Sequence, residues 1–195
     1  MAVKVDLLGE TLLADGRFKL TLTSVKVAET DGATRTLSHE IYHQAGAAAL
    51  LLFDPTRGTV LLVRQFRLGA YLESRRRSMI EVCAGMLDAD APEAAVVREA
   101  MEETGVSVAR PRHVFDAFAS PGATTEKIAC FVAQYRPADR IGAGGGVDAD
   151  ERIEIIEPSL AEALDMIGRG EICDAKTIAL LYYARAQGLM DRAAD

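Results

Sequence analysis

Residues 85–106 read GMLDADAPEAAVVREAMEETGV, from Gly85 to Val106, and their reading decides the fold. At about 100° per residue, Glu99 and Glu103 fall one helical turn apart with Glu102 flanking them. Ala94, Val97 and Met101 lie on the other side, which is expected to be buried. Like charges at this spacing repel, and a divalent cation among them would relieve the repulsion. The ends are legible as well. Asp90 with Glu93 three residues on reads as an N-cap and capping box. Pro92 suits a first turn, and Gly105 suits a C-terminal cap. A helix is expected over 91–104, entered by a loop over 83–89, with Arg98 placed to hold a carboxylate of its own helix. Read alone, the same residues also describe an acidic, solvated helix face.

The rest of the composition narrows the function classes. The chain has 195 residues, 49% apolar and 26% charged, enough for one core plus a smaller appendage. Its net charge of −7 disfavours a polyanionic partner, so no nucleic-acid binding is expected. A small phosphorylated substrate would need metal ions and a few local Arg or Lys residues. No apolar run is long enough to span a bilayer, and the N-terminus carries no signal-peptide pattern, so no membrane association is expected. Cys83, Cys130 and Cys173 are scattered, which reads as reduced thiols in a cytoplasm. They pair with none of the three histidines at zinc-ligand spacing.

Along the chain, residues 1–44 read as a β-rich appendage. Phe18, Leu20 and Leu22 alternate with polar residues, and Val25 and Val27 resume the pattern after a one-residue shift. Asp31-Gly32 marks a turn and Thr34–Tyr42 the returning strand. So small a sheet must pack on something, either the rest of the chain or a second subunit. Over 45–195 the pattern is α/β. Strands are expected at 47–53, 59–65, 79–82, 109–117, 128–135 and 153–157. Helices are expected at 160–167, after Ser159, and at about 176–187. Ala143 to Gly146 read as a flexible loop before the acidic run Asp148 to Glu151.

On these residues the chain resembles the Nudix hydrolases, whose signature is a Gly, five residues, a Glu, seven residues and then R-E-U-x-E-E-x-G-U, with U a bulky aliphatic. R-E-A-M-E-E-T-G-V at 98–106 fills the second half, with Ala100 small where an aliphatic is usual. The first half departs: Asp90 stands in the Glu position, four residues after Gly85. Arg64-Gln65-Phe66-Arg67, Pro121 after the helix, the A-G-G-G-V loop at 143–147 and Asp174-Ala175-Lys176-Thr177 are similar to the ADP-ribose and GDP-mannose pyrophosphatase branch, most of all to GDP-mannose hydrolases.

The resemblance implies a Nudix α/β/α sandwich with a mixed sheet and an N-terminal β-sheet appendage that packs across a homodimer. It implies hydrolysis of the diphosphate of a nucleotide sugar, GDP-mannose before ADP-ribose, with Mg²⁺ as cofactor and Mn²⁺ as a substitute. The metal ligands it implies are Glu99, Glu103 and the Ala84 carbonyl, with Glu102 nearby. A further ligand or base comes from the acidic loop, where Glu151 matches and Asp150 precedes it. The catalytic set is then Glu99, Glu103 and Glu151 with Arg98. Arg67, Glu126, Asp150 and Lys176 match substrate-contact positions, and Glu40 a position that reaches the partner's nucleotide. The bland alternatives are solvated charges at Arg67 and Glu151, and an ion pair at a helix start for Lys176. A nucleotide-sugar binding module without turnover is the reading from another class. The histidines, Arg75-Arg76-Arg77 and Tyr182-Tyr183 read as surface or packing residues.

Overall fold

The computed structural model describes residues 1–87, 90–146 and 152–191, the side chain of Val3 excepted. The chain forms two compact units, Met1–Gly46 with Phe118–Lys127, and Ala47–Ala117 with Ile128–Asp195.

The first unit is an antiparallel sheet in the order β1 (Ala2–Asp15), β2 (Lys19–Glu29), β3 (Thr34–Tyr42). The β2–β3 register runs unbroken from Leu20↔Tyr42 to Ala28↔Thr34. The one-residue shift expected near Val25 belongs to the other neighbour: β1 bulges between Leu7 and Gly9, opposite Val25 and Ser24. The Asp31-Gly32 turn forms as expected, with the Asp31 carboxylate accepting the Ala33 N–H at 2.9 Å. β1 is an edge strand whose Val5, Leu7, Leu8, Leu12 and Leu13 remain exposed. The Ser120–Thr125 turn joins this unit through hydrogen bonds between Tyr42 and the Ala123 and Thr125 backbones.

The second unit is built around β4 (Ala47–Asp54), every residue of which is buried. The run AAALLLFD is apolar on both faces because both faces of its strand are covered. Ala49, Leu51 and Phe53 enter one core with Leu160, Met166, Leu180 and Leu181 from α3 (Leu160–Gly168) and α4 (Ala175–Ala186). Ala48, Leu50 and Leu52 enter another with Ala95, Val96 and Ala100 from the signature helix. This is an α/β/α sandwich. Its mixed sheet runs β10 (Glu154–Ile156), β5 (Thr59–Gln65), β4, β9 (Lys127–Gln134), β8 (Arg112–Phe118). β4 is parallel to β9 and antiparallel to β5. β6 (Met79–Glu81) pairs with β5, and β7 (Cys83–Met86) with β4.

Two local expectations are corrected, and one helix was not foreseen. Cys83–Met86 is a strand rather than loop, because four backbone residues of β4, Ala47 to Leu50, lie opposite it. The helix α1 (Leu68–Ser74) was not foreseen: it is only seven residues long and none of its residues is buried. β8 starts at Arg112, three residues after the expected start, because Arg110 and Pro111 precede it as loop. Ser159 and Asp174 cap α3 and α4 by accepting the Glu162 and Thr177 N–H groups at 3.1 and 3.0 Å.

Candidate active site

The signature helix, α2 (Pro92–Glu99), continues as a π-helical turn, Ala100–Thr104, and ends at Gly105 in the left-handed region with φ 72°. A side chain at Gly105 would also strike the Gly142 carbonyl. The N-cap is Ala91, and Asp90 forms no side-chain cap: it lies 3.6 Å from Arg98, whose cation competes for the carboxylate. The buried face also differs from expectation. Ala94 is exposed and Val97 and Met101 are half-buried, whereas Ala95, Val96, Ala100 and Glu103 are buried. Val96, Ala100 and Glu103 are spaced as one stripe, and the small Ala100 lets that stripe approach β4 and β7. Glu103 therefore faces the protein rather than the solvent, and Glu99 and Glu102 are half-buried.

Glu103 is 5% exposed and accepts the Ala84 N–H at 3.2 Å. Burial pushes its carboxyl up to about 7, and the Glu99 charge adds to this against the Cys83 thiol and the Ala84 N–H. Glu99 lies so close to the Gly85 backbone that a side chain there would overlap its carboxylate. Arg98 gathers Glu99 at 3.0 Å and Glu102 at 2.9 Å. Among the described residues no three His, Cys, Asp or Glu side chains already converge as a cation cage. The donors are all hard oxygens, and Glu103 is a buried carboxylate beside a second one. That set suits a hard divalent cation, which would relieve the repulsion.

The glycine loop, read as merely flexible, docks on this helix. Gly145 and Gly146 donate to the Glu103 and Glu102 carbonyls at 2.9 and 3.1 Å. Glu151 and Asp150 lie outside the described residues.

Arg67 and Lys176, far apart in sequence, meet at a carboxylate that the sequence reading missed. Glu81, 3% exposed on β6, accepts Arg67 Nε at 2.8 Å, Arg67 Nη2 at 3.1 Å and Lys176 Nζ at 2.8 Å. Lys176 also pairs with Asp174 at the start of α4, at 3.0 Å. Burial pushes Glu81 up, but the Arg67 hydrogen bond and the Lys176 charge outweigh it and hold the carboxyl below its ordinary value. The available signal was a lone acid inside the apolar run Met79-Ile80-Glu81-Val82-Cys83. Ala84, Glu99, Glu102, Glu103, Arg98, Arg67 and Lys176 thus all belong to the second unit, whereas Glu40, exposed on β3, and Glu126 belong to the first.

Comparison with known proteins fits this geometry. The NUDIX domain family model matches residues 42–151. The chain is 40% identical over 192 residues to the GDP-mannose pyrophosphatase of Salmonella paratyphi B, covering 98% of this chain and 100% of that protein. It is 39% identical over 196 residues to the GDP-mannose pyrophosphatase of Klebsiella pneumoniae, covering 100% of this chain and 98% of that one. A solved structure described as an ADP compounds hydrolase superposes with a TM-score of 0.72 at 18% identity, covering 96% of this chain and 98% of that one, a likeness of fold. With a glutamate helix set against the Gly85 strand and a family match over more than half its length, the chain belongs to the NUDIX domain family.

Proposed function

We propose that this Nudix hydrolase cleaves the diphosphate of a nucleotide sugar, with GDP-mannose as substrate and GMP and mannose 1-phosphate as products. The observation that carries the reading is one juxtaposition within the second unit. Buried Glu103 sits one turn from Glu99, which is packed on Gly85, and the Arg67–Lys176 cation pair is gathered on Glu81. The substrate follows from the 39–40% identity with GDP-mannose pyrophosphatases over nearly the whole chain.

Glu99, Glu102, Glu103 and the Ala84 carbonyl would hold Mg²⁺, with Mn²⁺ as a substitute. Bound there, the ion would neutralise diphosphate charge and lower the pKa of nearby water. Arg98 orients Glu99 and Glu102. Arg67 binds phosphate oxygens, for which a guanidinium is shaped, and Lys176 adds a second cation. In the reaction a water oxygen bonds to phosphorus as the bridging P–O bond breaks. The water's proton passes to Glu151, with Asp150 beside it. By the resemblance, Glu126 is a substrate-contact position and Glu40 a position that reaches the nucleotide of a partner subunit. Residues 1–44 form the dimerisation appendage of a homodimer, and the enzyme works in the cytoplasm. Among the described residues no helix is long and apolar enough to cross a membrane.

Parallel assays of GDP-mannose and ADP-ribose with magnesium test the reading. GMP release at the higher kcat/KM is expected. A preference of about ten-fold for ADP-ribose would replace the substrate, because such a ratio is well within what pocket contacts discriminate. Tight binding of both without any product would leave a binding module instead.

A further inference from the structure

Glu81 is costly where it stands. A buried carboxylate with two buried or half-buried cations loses more hydration than an apolar residue of its size would, and such ion pairs are weak sources of stability. What it does achieve is geometric. Arg67 follows the end of β5, Lys176 lies in the first turn of α4, and Glu81 lies on β6 between their ends of the chain. The guanidinium is gripped along its Nε–Nη2 edge, which fixes its plane and turns Nη1 away from Glu81. The arginine side chain keeps 46% exposure, against 14% for Lys176. The lysine is fixed in turn by Asp174, whose other oxygen accepts Thr177 Oγ1 at 2.6 Å. Thr177 accepts the Val82 N–H at 2.8 Å, so the cluster is bolted to the residue that leads into β7 and Gly85. Two like charges brought together repel, and the anion shared between them offsets this.

We propose that Glu81 is a positioning residue for the reaction: it holds the Arg67 guanidinium and the Lys176 ammonium together so that both meet the substrate diphosphate. The proposal rests on the reading that these two cations bind that diphosphate.

Steady-state kinetics of Glu81→Gln, Arg67→Ala and Lys176→Met with GDP-mannose test it. Glu81→Gln keeps the shape and removes the charge. It raises KM by about ten-fold and lowers kcat by less, the pattern of lost binding alignment. Glu81→Asp retains the charge and recovers part of the change. In the Arg67→Ala/Lys176→Met background Glu81→Gln adds nothing to KM, because Glu81 acts through those two groups. A KM within about two-fold of wild type for Glu81→Gln, beside a raised KM for Arg67→Ala, would reduce Glu81 to a structural role and leave the site reading intact. Unchanged KM in both single cation variants would remove that reading, and the proposal with it. Should Glu81→Gln not fold, the apolar Glu81→Leu of similar size carries the comparison, and a wild-type KM there overturns the proposal.

Discussion

Glu103 accepts its hydrogen bond from the backbone N–H of Ala84, 19 residues earlier in the chain, at 3.2 Å. This contact brings the carboxylate of the π-helical turn to the strand whose next residue, Gly85, lies against Glu99. It also explains why Glu103 is buried although it is an acid on a short helix: the N–H is one of the few compensations a buried carboxylate receives.

Replacing Glu103 by Gln therefore separates chemistry from stability. Turnover falls by about 10²–10³-fold, the scale of losing one preorganised charge at a reacting centre. The melting midpoint in chelator stays equal or rises, because a buried charge beside Glu99 disappears. Magnesium at 100 times its Kd stabilises wild type by about 2.7 kcal/mol and the variant by much less. Thermal melts with and without magnesium read both effects, and an equal magnesium shift in the two proteins would remove Glu103 from the metal site.

Gly85 tests the packing itself. A methyl group there overlaps the Glu99 carboxylate, so either Glu99 moves or β7 does. Gly85→Ala costs about 1–3 kcal/mol, as overpacking usually does. Turnover drops by at least about ten-fold from a displaced carboxylate. Denaturant unfolding beside the activity assay measures the two losses, and a fully active variant would show that Glu99 has room to spare.

Acid should expose the Glu81 cluster. The carboxyl is held below its ordinary value in the folded chain, so its stabilisation is present above the unfolded value near 4.3 and is lost as pH falls through the folded value. The difference in urea midpoint between wild type and Glu81→Gln is then largest at neutral pH and shrinks in the acid range. A difference that grows on acidification would contradict the depressed carboxyl.

The edge strand β1 makes a prediction about assembly. Val5, Leu7, Leu8, Leu12 and Leu13 are 46–65% exposed along one long unpaired edge, an arrangement that favours covering by another chain. Sedimentation equilibrium should give twice the chain mass, and Leu7→Glu with Leu12→Glu should lower it towards one. A wild-type mass of one chain at micromolar concentration would exclude the homodimer.

The sequence alone determined the helix over 91–104, its Gly105 terminus, most strand positions and the family. These features repeat locally: side-chain period, caps and turns all act within a few residues. It could not assign the buried face of that helix, because Ala94-Ala95 and Val96-Val97 offer two apolar faces, and the choice between them was made by β4 and β7 packing on Ala95, Val96 and Ala100. It read Asp90 as a cap by local spacing, and the Arg98 charge took that side chain instead. Glu81 was passed over for the same reason in larger form. Its partners, Arg67 and Lys176, stand 14 and 95 residues away, and long-range ion pairing of this kind exists only once the sheet and the last helix have brought the three together.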